Sequence, residues 1–193
     1  MSGRDKILAA VKANQPSLTD LPQVTIPQSE EGLAERFTTI ATAIGGRVIE
    51  ISSVEEIRAF VAENYDKSAR IVSSVAELGD IAETVIEQGN PHILENVELA
   101  ILKAEIGVAE NAALWVPEEN TVQRVLPFIA QHLALIVSVR SLVPTMHQAY
   151  EVIGDRDYGY SAFIAGPSKT ADIEQSLVLG AHGPRSMTVF LLK

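Results

Sequence analysis

Two loops near the carboxyl end of this 193-residue chain bring together side chains able to do chemistry. The first, Gly166-Pro167-Ser168-Lys169-Thr170-Ala171-Asp172, sets two hydroxyls, an ammonium and a carboxylate just after a glycine-proline turn. Ser168 or Thr170 reads as the cap of a helix carrying Asp172 and Glu174 in its first turn. Amides at such a helix start, with Ser168, Lys169, Thr170 and Asp172 around them, form a candidate site for a phosphate or carboxylate. Asp172 and Glu174 compete for the same positive end, so a well-capped structural helix explains these residues equally well. The second loop, Gly180-Ala181-His182-Gly183-Pro184-Arg185, stops the helix and places a histidine near an arginine. That pair suits carboxylate binding or proton transfer by His182, with Arg185 as the anion's partner. A lone histidine is more often a hydrogen-bonded structural residue than a catalyst.

Glu110 is a third candidate. Ile106-Gly107-Val108-Ala109 precedes it, and a carboxylate among apolar strand-formers is costly unless paired or used. The competing reading is a cap or salt bridge at a strand end. The remaining histidines, His92, His132 and His147, are scattered, and none has an acidic or histidine partner at metal-ligand spacing, so no metal site is expected. Trp115 reads as a core plug and Glu118-Glu119 as an exposed turn.

The elements that must position these loops follow from periodicity. Leu33, Phe37, Ile40, Ala41 and Ile44 lie on one helix that stops at Gly45-Gly46. Residues 47–51 (RVIEI) alternate as a strand, and residues 54–65 form a helix capped by Ser52 or Ser53 with Glu55 and Glu56 in its first turn. A strand over 69–75 and a helix over 76–88 continue the rhythm of an open α/β sheet with parallel strands. Residues 97–139 hold several strand-like runs and read as an inserted strand-rich layer, followed by a helix over 144–151 and a polar loop over 154–159. The apolar run 187–192 does not alternate, which predicts a sheet strand covered on both faces. Before all this stand a short helix with Ile7, Leu8 and Val11 on one face and a proline-marked arm. The expected organisation is therefore an N-terminal helix and arm over 1–31 and one α/β domain over 32–193. The exposed arm is suited to contacting a second copy of the chain.

Composition narrows the function classes. With 47% hydrophobic residues the chain can bury a substantial core, and its formal net charge of −10 disfavours nucleic acid and anionic membrane surfaces. No apolar run is long enough for a membrane span, and the charged N-terminus is unlike a signal peptide, so the cytoplasm is the expected location. There is no cysteine, which rules out disulfides and Cys-ligated iron–sulfur clusters within this chain. No G-x-G-x-x-G follows a strand and no P-loop occurs, which argues against the nucleotide sites those motifs build.

The run GPSKTADIE…LVLGAHGPRS with its apolar terminal strand closely resembles the signature of the LUD-domain family, the lactate-utilization proteins related to their C component. The segment AEIGVAENAALWVP (residues 104–117) is similar to a second family region, except that Asn111-Ala112-Ala113 stands where Thr-Gly-Thr is common. The resemblance implies a fold similar to the sugar-phosphate isomerase and CoA-transferase group, and a role in oxidising L-lactate to pyruvate with iron–sulfur partner subunits. It leaves open a freestanding enzyme acting on a CoA, folate or phosphorylated substrate, and a non-catalytic scaffold or regulator. In CoA-transferases a glutamate in a Glu-Asn-Gly context is a nucleophile, and Glu110-Asn111-Ala112 is similar to it. On this reading Glu110, Lys169, Asp172, His182 and Arg185 converge on one cleft near strand carboxyl ends.

Overall fold

Strands with apolar residues on both faces can only be buried in the middle of a layered structure, and that requirement organises this chain. The computed structural model describes residues 2–20, 22, 29–84, 89–171 and 177–193. At its centre lies a fully parallel five-stranded sheet in the order β1 (Arg47–Ile51), β11 (Ser186–Leu192), β6 (His132–Ser138), β3 (Leu99–Lys103), β2 (Ile71–Ser73). The non-alternating run at the chain end is β11, and Met187, Val189, Phe190 and Leu191 are all buried. Phe190 faces a core built with Ile57 and Val61 of α3 (Val54–Asn64), while Met187, Val189 and Leu191 face the opposite core.

That opposite core is closed by α2 (Leu33–Ala43), by the short α4 (Leu126–Ile129) and by a second sheet. The second sheet has the order β7 (Leu142–Val143), β4 (Ile106–Val108), β5 (Leu114–Pro117), β8 (Ser161–Ile164). Leu114 and Val116 point to the central core, whereas Ile106, Val108 and Trp115 point outward beneath α5 (Met146–Ile153), the period-two alternation of a sheet covered on both sides. Burying Phe37 and Leu114 here contributes about 1.5–3 kcal/mol each. Gly107 lets the sheet and α2 approach, since a methyl at that position would lie 2.6 Å from Leu142 Cδ2 and 3.4 Å from Phe37 Cε2. The remaining helix, α1 (Gly3–Ala13), is held by a Ser2/Asp5 capping box and buries no residue.

The expected α/β class, a mostly parallel sheet flanked by helices with a separate strand-rich layer, is the architecture found. Its internal boundaries differ from expectation. β3 and β6 belong to the parallel sheet, so the separate layer comprises β4, β5, β7 and β8. Of the expected helix over 76–88, residues 85–88 lie outside the described residues, and the described part is a single 3₁₀ turn, Ala76–Leu78, after which Glu83 bridges to Val72 in extended form. Two bonds favour that extended path. The Glu83 amide donates to the Ile71 carbonyl at 2.9 Å, and Arg70 clasps the Glu83 carboxylate through Nε at 2.8 Å and Nη2 at 2.9 Å. The helix expected after Ser168 is replaced by β9 (Lys169–Ala171) and β10 (Leu177–Leu179), an antiparallel pair. Asp172 and Glu174 lie outside the described residues. Glu118 and Glu119 are more than an exposed turn. Glu118 accepts two hydrogen bonds from Arg124 at 2.6 and 2.9 Å, which hold its carboxyl below the usual range, and Glu119 pairs with Arg156.

Candidate functional site

Glu110 sits in the connection between β4 and β5, and its surroundings decide its role. Asn111 Oδ1 accepts the Ala113 amide at 3.0 Å, a local turn that places Ala112 at φ 56°. This geometry carries Glu110 out of the apolar stretch to an exposed position, so the expected burial of its carboxylate is corrected. Glu110 Oε1 accepts the amide of Met146, the first residue of α5, at 2.7 Å. The carboxylate thus satisfies an otherwise orphan donor and complements the positive helix end, a capping role supplied from a distant loop.

The carboxyl-terminal loops are held just as tightly. Lys169 Nζ donates to the carbonyl of Ile44, the residue that caps α2, so its ammonium stabilises a helix carboxyl end. The Ser168 amide donates to the Pro184 carbonyl at 2.9 Å, and the Ser168 carbonyl accepts from Gly180 at 3.1 Å. Thr170 is in the β9–β10 ladder. The helix start that motivated an anion site at Ser168, Lys169 and Thr170 is therefore absent from the described residues. His182 and Arg185 are exposed, and the Arg185 side chain packs over Gly180. No hydrogen bond or ion pair among the described residues joins Glu110 to Lys169, His182 or Arg185. The single cleft gathering all of these residues finds no support in their contacts.

A different cleft lies where the parallel strands end. Its volume is about 790 Å³, and it is floored by Ile136 and Leu192. Its rim comes from successive strand ends: Ser74 after β2, Lys103 at the end of β3, Ser138 at the end of β6, and Ser141 beyond it. Crevices beyond the carboxyl ends of parallel strands are the usual ligand sites of open α/β sheets. The rim is ordered by short bonds. Ser74 Oγ accepts the Lys103 amide at 3.1 Å, and Ser138 Oγ accepts the Arg140 amide at 3.2 Å. Two acids line this cleft, Glu77 and Glu105; Glu105 pairs with Arg156 at 2.5 Å, which it shares with Glu119, and is held by Asn120 at 3.2 Å. The Lys103 ammonium has no side-chain partner among the described residues and is exposed. The cleft thus offers a free cation, nearby hydroxyls and an apolar floor, a set suited to a small carboxylate with a short carbon chain.

Sequence reasoning passed over Lys103. The available signal was a lysine ending the otherwise buried run Leu99-Ala100-Ile101-Leu102. It also passed over the partners of His132, which come from remote parts of the chain: Ser186 on β11 and Glu98 just before β3.

Comparison with known proteins places these features in context. The LUD domain family model matches residues 80–192. The lactate utilization protein C of Exiguobacterium sp. is 27% identical over 182 residues, covering 85% of this chain and 79% of that protein. The lactate utilization protein C of Oceanobacillus iheyensis is 27% identical over 150 residues, covering 71% of this chain and 64% of that protein. Among solved structures, a DUF162 family protein from Deinococcus radiodurans superposes with a TM-score of 0.64 at 17% identity, covering 86% of this chain and all of that one, and so shares the fold. No helix among the described residues is long and apolar enough to cross a membrane.

Proposed function

Because this chain belongs to the LUD-domain family, we propose that it serves lactate utilization by binding a short 2-hydroxy or 2-oxo acid in the cleft at the carboxyl ends of the parallel strands. The observation that carries this reading is the match to proteins called lactate utilization protein C along 85% of the chain. The cleft supports it chemically. Lys103 supplies the charge for a carboxylate, the Ser138 and Ser141 hydroxyls suit an adjacent oxygen, and Ile136 and Leu192 suit a methyl group. The chain has no cysteine to hold an iron–sulfur cluster, so electron transfer in oxidising L-lactate to pyruvate falls to iron–sulfur partner subunits. The chain's own part is to hold and orient the acid. Helix α1 serves assembly, since Ile7, Leu8 and Val11 present an exposed apolar face suited to a second copy of the chain.

The test is genetic and physical together. A strain lacking this gene should lose growth on L-lactate while keeping growth on pyruvate. Wild-type protein should restore growth and co-purify cysteine-rich subunits from lactate-grown cells. Unimpaired growth of the deletion strain on L-lactate contradicts the proposal.

A further inference from the structure

The amino-terminal ends of the parallel strands hold a constellation that the lactate reading does not use. His132 opens β6 and Ser186 opens β11, and the two are register partners. Ser186 Oγ lies 2.7 Å from His132 Nδ1, and His132 Nε2 lies 3.5 Å from Glu98 Oε1. With the proton on Nε2 facing the carboxylate, Nδ1 is left to accept from the serine hydroxyl. A nucleophile bonded to a base, with the base oriented by an acid, is the arrangement that activates a serine. The geometry points to Ser186 as a nucleophile that accepts acyl groups from small esters or thioesters, with His132 as its base and Glu98 as a positioning residue.

The surroundings fit this chemistry. Alternation along β1 puts Arg47 on the same sheet face as Ile49 and Ile51, the face that α3 covers, and Arg47 is paired with Thr188, two residues beyond Ser186. Arg47, His132 and Ser186 all line one open cleft of about 340 Å³, together with Phe60 and Tyr65. The Arg47 guanidinium stacks 5.2 Å from the Phe60 ring and makes no ion pair among the described residues, which leaves it available to an anionic group of the acyl donor. Tyr65, at the end of α3, meets the His132 ring edge-on at 5.9 Å and fixes its plane. Burial and nearby Glu98 push the Tyr65 phenol above its usual pKa, so it is present as a hydrogen-bond donor. A mere latch between strand starts would need only the Ser186–His132 bond, whereas here the far nitrogen also faces an acid.

In the step itself, Ser186 Oγ attacks the acyl carbonyl and His132 Nδ1 takes the hydroxyl proton. The imidazolium, steadied by Glu98, returns that proton to the departing alkoxide or thiolate. Water then attacks the acyl-serine and gives one proton to His132, which passes it to Ser186 Oγ as the carboxylic acid departs, restoring the free serine and the neutral imidazole.

Purified full-length protein treated with a fluorophosphonate should gain one adduct by intact mass, mapped to Ser186 by peptide sequencing and missing from Ser186→Ala. His132→Asn should slow labelling by about 100-fold or more, within the range for loss of a general base. With p-nitrophenyl acetate, Glu98→Gln should lower kcat at least several-fold while KM and the thermal midpoint stay unchanged, a split that a purely structural Glu98 does not produce. Labelling of folded wild type no faster than Ser186→Ala overturns the inference, as does labelling of His132→Asn at the wild-type rate. None of these readouts involves lactate, so the site stands or falls apart from the proposed function.

Discussion

Gly180 follows β10 at φ 77°, where its amide bonds the Ser168 carbonyl just before β9, and replacing it tests the geometry that stands where a helix was expected. An L-residue in the left-handed region costs about 1–2 kcal/mol. A methyl at Gly180 would also lie 2.5 Å from Arg185 Cγ and 3.2 Å from Arg185 Cα. The second contact is with main chain, so relief requires backbone movement, an overpacking cost of about 1–3 kcal/mol. Reduced freedom of the unfolded chain returns about 0.4–1 kcal/mol. Gly180→Ala should therefore destabilise by about 3 kcal/mol, the sum of these terms. Gly32 supplies the control. It has φ 64° with nothing within 4 Å of an added methyl, so Gly32→Ala carries the conformational cost alone, a net of about 1 kcal/mol. Urea denaturation of both variants measures the difference, and thermal midpoints should fall by about 2–4 °C per kcal/mol at this chain length. Equal losses for the two variants refute the packing of the hairpin on Arg185. Because Arg185 precedes Ser186, Gly180→Ala should also slow phosphonylation of Ser186.

Two further outcomes follow from the contacts described. Glu110→Gln keeps an acceptor for the Met146 amide but removes a charge from an exposed helix end, so it should cost no more than about 1 kcal/mol and leave lactate-dependent growth intact, whereas a nucleophilic Glu110 requires that growth be abolished. Arg70 holds the Glu83 carboxyl below its ordinary value of 4.5, so the ion pair stabilises the fold above that value and its contribution is lost as pH falls through the lowered one. Because the Glu83 side chain is 45% exposed, Glu83→Gln should cost about 0.2–1 kcal/mol in urea titrations at pH 7, shrinking toward zero as the carboxyl is protonated on acidification; a cost that grows on acidification contradicts the assignment.

Much of the scaffold was legible because its signals are local. The alternation of RVIEI, the Ser53/Glu56 capping box and the unbroken apolar run at the chain end lead to β1, α3 and β11 without knowledge of distant contacts. Ser168 and Thr170 misled because small hydroxyl residues after a glycine-proline turn serve hairpins as readily as helix caps. The choice was made by bonds from Ser168 to Pro184 and Gly180. β3 and β6 read correctly as strands, yet nothing local says which of two sheets a strand joins. Glu110 looked buried from its apolar neighbours, but the turn at Asn111–Ala113 swings it outward. His132 and Ser186 lie 54 residues apart, and only the parallel register of β6 and β11 makes them neighbours.

In the proposed site, Lys103 holds the carboxylate of a short 2-hydroxy or 2-oxo acid in the cleft at the strand carboxyl ends. Isothermal titration of purified protein with pyruvate and L-lactate, in wild type and Lys103→Met, tests it most directly. Saturable binding to wild type, weakened at least tenfold in a Lys103→Met variant of unchanged thermal midpoint, is the predicted result. No binding of either acid by wild type, or equal affinity in the variant, contradicts the account.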